Sequence, residues 1–366
     1  VLGVSHAALR LSTLLFGGHA LIAAFGLARR LGLPEALAAY LAALLAVNPL
    51  FFSLAYTFMT DVGFTALCLL ALWAMTHALR SPSLAAWGLG AAFTGAAILS
   101  RQPALMLPVA AGAALLLRHR REPRVWLGTA VVAILGLGLY SALPLLYGGE
   151  DSGRHMRVLW YLQNSVLSAD AFYHVARACM TVGAVTGLSL LPLLPLVRPD
   201  RGSLVAGALG ATGLLGLSLR LHVVPPLHVN VLRPDIGLGP STLPGSPGAP
   251  EGAALVWGLL DGVGITVAIA LLATLVRRRR RLEGRPDLWL LLIFPALSIA
   301  LLSFQFPFFD RWMLPFLVPL AAVVLHAAAP EANGPQRRPL GLAFGLLVPL
   351  LLWSSLGTAD TLAHYR

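Results

Sequence analysis

Apolar positions in this chain fall in long unbroken runs, not in strand-like alternation or in one-sided helical stripes. Twelve such stretches stand out, roughly 8–28, 37–58, 61–79, 84–99, 103–117, 125–146, 172–197, 203–219, 253–276, 287–304, 312–329 and 340–356, most of them joined by short polar connections. A run of about 20 apolar residues is what a helix needs to cross a hydrocarbon core of about 30 Å. A transmembrane β-barrel would instead alternate apolar and polar positions. The expectation is therefore an all-α polytopic membrane protein, a single transmembrane domain over residues 1–366 with about twelve spans. The stretches 84–99 and 103–117 are short for the membrane. They cannot be one helix, because Arg80 and the cluster Arg118, Arg120, Arg121 and Arg124 would then lie on opposite sides.

Composition agrees: 58% of residues are hydrophobic, 11% are charged, and mean hydropathy is +0.80. The 26 basic residues, all arginine, outnumber 15 acids and give a net charge of +11. Such a charge would suit nucleic acid, but the arginines sit in small clusters between apolar runs, so no nucleic-acid partner is expected. Sorted by alternate connections, 17 of the 26 fall on one side of the membrane, which the positive-inside rule makes cytoplasmic. The run Arg277–Arg281 then reads as an anchor on anionic headgroups of the membrane lipids. This orientation leaves residue 1 outside, and the simplest repair is one further span before Val1. Cys68 and Cys179 lie in apolar runs without metal or redox spacing. Two connections on the outer side, 147–171 and 220–252, are long. The second holds His222 and His228, but no third ligand that would complete a metal site.

Charged residues at span ends carry the candidate chemistry. Asp61 begins the third run, Arg10 lies near the outer end of the first, Arg101 sits at the tip of "ILSRQPALMLP", and Asp310 and Arg311 stand together in "FPFFDRWMLPFLVPL". All five share the outer side in this topology. The plain reading is a set of interfacial residues reaching for headgroups. Aspartate is too short for that, and an acid in a membrane span marks a functional cavity by default.

Two stretches, "LRLSTLLFGGHALIAAFGLARRLG" and "NPLFFSLAYTFMTDVGFTALCLLALWAM", resemble the membrane glycosyltransferases of family 39. That GT-C-fold group includes the protein O-mannosyltransferases and the lipid A aminoarabinose transferases. "ILSRQPALMLP" is similar to a hairpin where the family carries Lys or Arg, and "FDRWMLPFLVPL" to its late R-Y-L-x-P element, with Trp312 in place of Tyr. The resemblance implies transfer of a sugar from a polyprenyl-phosphate donor to a protein, lipid or glycan acceptor at the outer face of a cell membrane, the inner membrane if the source is bacterial. It makes Asp61 a catalytic or auxiliary acid on the acceptor side, and Arg101, Asp310, Arg311 and Arg10 substrate-binding groups. It leaves room for a divalent cation. It also implies a first span and an acidic outer loop that do not occur in this sequence. A twelve-span transporter or flippase and a non-catalytic membrane subunit are the alternatives, although polar groups gather at span ends and no repeat relates the two halves.

Overall fold

The computed structural model describes residues 5–56, 59–81, 83–118, 123–146, 171–222, 253–303, 310–328 and 337–364, and every regular element among them is helical. In chain order these are α1 (His6–Arg30), α2 (Glu35–Ala46), α3 (Pro49–Ala55), α4 (Thr60–Arg80), α5 (Leu84–Ser100), α6 (Met106–Arg118) and α7 (Pro123–Leu146). Then follow α8 (Ala171–Leu190), α9 (Leu194–Val197), α10 (Arg201–Arg220), α11 (Ala253–Arg277), α12 (Pro286–Ser303), α13 (Leu314–Ala328), α14 (Arg337–Gly345) and α15 (Leu347–His364). Short 3₁₀ turns at Gln102–Leu105 and Asp310–Met313 lead into α6 and α13.

Among the described residues, eight helices are long and apolar enough to span a bilayer. The pair α2–α3, bent by 65°, makes a ninth span if it is taken as one. Three shorter apolar helices, Leu84–Ser100, Gln102–Leu117 and Trp126–Gly136, complete the order of apolar stretches read in the sequence. The chain is thus a multi-pass helical membrane protein. The stretch 37–58, read as one span, is made of two helices with a bend between them. Asn48 ends the first: its side chain accepts from the Leu50 and Phe51 amides and caps the second. Pro49, without an N–H, cannot extend the earlier hydrogen-bond ladder. Asn48 also donates to Ser189 Oγ at 2.9 Å, which fixes the bend against α8.

Much of the apolar surface faces outward. Leu209, Leu219 and Leu356, on α10 and α15, are each 70% exposed. In water these faces would be an aggregation liability; against lipid they are the required exterior. Inside, α8 and α11 approach closely through small residues. A Cβ on Gly187 would stand 1.6 Å from the Gly264 carbonyl oxygen, and one on Gly264 would stand 2.3 Å from that of Ala184. Such glycine contacts are how helices pack where lipid supplies no hydrophobic driving force.

The arginine-rich end of the fold is built as a set of helix caps. Arg285 donates to both carboxylate oxygens of Asp287 at 3.0 and 2.8 Å, to the Leu31 carbonyl at 3.2 Å, and sits 3.1 Å from His326 Nε2. Arg80 lies 3.7 Å from the same carboxylate, which is 1% exposed. The Arg285 guanidinium thereby ties the ends of α1, α12 and α13, and Arg80 joins the end of α4 to the same carboxylate. The headgroup-anchor expectation for Arg277–Arg281 is corrected in part. Arg278 and Arg281 donate to the Ala328 and Ala327 carbonyls at the α13 C-terminus, where cations offset the helix dipole. Arg277 pairs with Asp200, whose carboxyl the Ser203 amide and this guanidinium hold below the usual carboxylate range. Arg279 and Arg280 stay exposed and fit the anchoring role.

Candidate active site

At the other end of α4 the sequence faces a different problem. Met59 gives the helix no side-chain cap, so the first-turn carboxylate of Asp61 meets the positive end of the helix dipole. Asp61 is only 2% exposed and therefore needs cationic partners. Two arrive from distant segments. Arg101 ends α5 in extended conformation: Pro103, without an N–H, cannot continue the α5 ladder, and the chain passes into a 3₁₀ step over Gln102–Leu105. Its Nη2 donates to Asp61 Oδ2 at 2.8 Å, and its Nε and Nη2 reach Thr60 Oγ1 at 3.2 and 3.1 Å. Arg311, in the 3₁₀ turn before α13, places Nε 3.8 Å from Asp61 Oδ1, an ion-pair distance too long for a hydrogen bond. Its Nη1 meets the Met59 thioether at 3.1 Å.

The three side chains border a cavity of about 270 Å³. Gln102 also lines it, and Phe64, Pro103, Leu105, Leu301, Leu302, Trp312 and Phe316 are its apolar lining. Ligand pockets commonly run from about 300 to 1,000 Å³, so this space suits a small polar headgroup with an apolar substituent leading away. Among the described residues Asp61 is the only acid lining it, and two guanidiniums leave the three ions with one net positive charge. Burial pulls the Arg101 pKa down from its ordinary value, Asp61 pushes it back up, and Arg311 pulls it down. An arginine starts so high on that scale that it stays protonated. The cavity accordingly favours an anion, and a phosphate matches the fork of an arginine.

The five candidate residues divide. Asp61, Arg101 and Arg311 come together. Asp310 stands beside them through its backbone in the Asp310–Met313 turn. Arg10 does not join them: it is exposed on the first turns of α1 and is not among the residues lining the cavity, which leaves it at the interface. Among the described residues no three His, Cys, Asp or Glu side chains are grouped to hold a metal ion, and Asp61, already held by two cations, is a poor donor for one. His228 and most of the two long outer connections lie outside the described residues, as do the side chain of Asp310 and residues 1–4. Thr60, Met59 and Gln102 were not readable as site residues, since a neutral side chain beside an apolar run carries no charge signal. Asp261, wholly buried in α11, was also not singled out and lies off the cavity.

Residues 1–147 match the family model described as dolichyl-phosphate-mannose-protein mannosyltransferase. The match supports a membrane glycosyltransferase of the GT-C type. It covers α1 to α7, and so both the acid and the first arginine of the site; Arg311 lies beyond it. No curated protein and no solved structure matches the chain.

Proposed function

We propose that this protein transfers a sugar from a polyprenyl-phosphate donor to an acceptor at the outer face of a cell membrane, the bacterial inner membrane in a bacterial source. One observation carries the reading: residues 61, 101 and 311, far apart in the chain, converge at the end of the bundle opposite the arginine-capped one. Along α4 the 20 residues from Asp61 to Arg80 span about 30 Å at 1.5 Å per residue, close to the hydrocarbon thickness. With the arginine-capped end inside, the cavity opens outside.

In this reading the donor phosphate enters between Arg101 and Arg311. Both guanidiniums stabilise the charge that grows on the leaving phosphate oxygen as the bond to the sugar breaks. Among the described residues Arg101 Nη1 makes no hydrogen bond, which leaves it to the phosphate. Asp61 faces Arg101 at 2.8 Å and Arg311 at 3.8 Å, so besides the acceptor-side part first expected of it, it positions the two arginines and keeps their repulsion in check. The isoprenoid chain follows the apolar wall. The acceptor, a protein, lipid or glycan hydroxyl or amine, approaches from the outer side.

Sealed right-side-out membrane vesicles test this. Supplied from outside with radiolabelled mannosyl polyprenyl phosphate, vesicles with the protein should move label from the carrier to a carrier-free product faster than vesicles without it. Transfer only in inverted vesicles would overturn the outer-face assignment, and label carried intact to the other leaflet would favour a flippase.

A further inference from the structure

We infer that Gln102 reads the sugar of the donor, a role that rests on the phosphate site proposed above. Among the described residues the cavity offers one neutral amide side chain, and it belongs to the residue directly after Arg101. Amide and guanidinium therefore border one and the same space.

The chemistry of the neighbours favours the assignment. Guanidiniums only donate hydrogen bonds, whereas a sugar hydroxyl both donates and accepts. Asp61 is an acceptor, but it is engaged by Arg101 and Arg311. Gln102 carries both kinds of group on one flexible arm, is half-buried, and makes no side-chain hydrogen bond among the described residues. Trp312, on the same cavity, adds a flat apolar surface that suits the C–H face of a pyranose or furanose ring. The competing reading is a polar residue that faces water at a hairpin tip.

The two readings separate on one measurement. The full chain, in lipid nanodiscs, is titrated with a polyprenyl phosphate and with its mannosyl, glucosyl and arabinosyl forms. Wild type should bind the bare phosphate and gain affinity from at least one sugar. Gln102→Leu should keep the bare-phosphate Kd within twofold and lose roughly 3- to 10-fold for the preferred sugar, the worth of one hydrogen bond. Gln102→Asn, with the amide on a shorter arm, should fall between. Equal losses for bare and glycosylated phosphate, no loss for either, or no sugar-dependent gain in wild type would each overturn the role of Gln102 while leaving the phosphate site standing. Failure of wild type to bind the bare phosphate would instead remove the site itself.

Discussion

Replacing Arg101 by alanine is expected to cut sugar transfer by about 10²–10³-fold, the usual loss when one preorganised donor to a developing oxyanion is removed. The substitution takes away the one guanidinium that joins α5 to α4 and leaves Asp61 with Arg311 alone, at 3.8 Å. Arg101→Lys should be milder, because charge remains while the two-pronged geometry is lost. Asp61→Asn should also lower turnover, by roughly tenfold or more, through misplacement of both arginines, since its charge no longer holds them. Radiolabelled donor consumption by each purified variant, with membrane insertion checked in parallel, decides the matter. Unchanged turnover in Arg101→Ala would reduce the Arg101–Asp61 pair to a structural tie.

The second large effect is on stability, at the other end of the bundle. Arg285→Leu leaves the Asp287 carboxylate, 1% exposed, with only Arg80 at 3.7 Å. Breaking a buried ion pair from one side typically costs about 3–5 kcal/mol, because the remaining charge stays desolvated. The same change removes the donor to Leu31 and the contact with His326, so the ends of α1 and α13 should loosen together. Unfolding in detergent as a function of denaturant measures it. Adding Asp287→Asn to Arg285→Leu should recover part of the loss, since it removes the stranded charge. Arg279→Ala and Arg280→Ala, at exposed positions, should shift stability by no more than about 0.5 kcal/mol. If the exposed substitutions cost as much as Arg285→Leu, the hub carries no special weight.

The contrast between these two ends shows what the sequence made legible. Apolar run length alone marked the helices, because bilayer thickness imposes it. The alternation of arginine-rich connections placed Asp61, Arg101 and Arg311 on one side, a consequence of topology that needs no tertiary contact. Their pairing was not legible, since which guanidinium meets which carboxylate depends on how α4, α5 and the turn before α13 pack. Arg10 shows the limit of the same logic: it was assigned to that side on the same topology, yet it does not reach the cavity. At the arginine-rich end, Arg278 and Arg281 looked like lipid anchors because their target, the α13 C-terminus, lies some 50 residues away. The bend at Asn48–Pro49 had a readable signal, a capping residue followed by proline, that hydropathy hides.

The account turns on where a lipid phosphate sits. The most direct measurement is an experimentally determined structure of the full chain with a polyprenyl phosphate bound. The expected result places phosphate oxygens about 2.7–2.9 Å from guanidinium nitrogens of both Arg101 and Arg311, with the first isoprene units against Phe64, Trp312 and Phe316. A phosphate bound elsewhere, with the Arg101–Asp61 and Arg311–Asp61 pairs unchanged and the cavity between them empty, would contradict it.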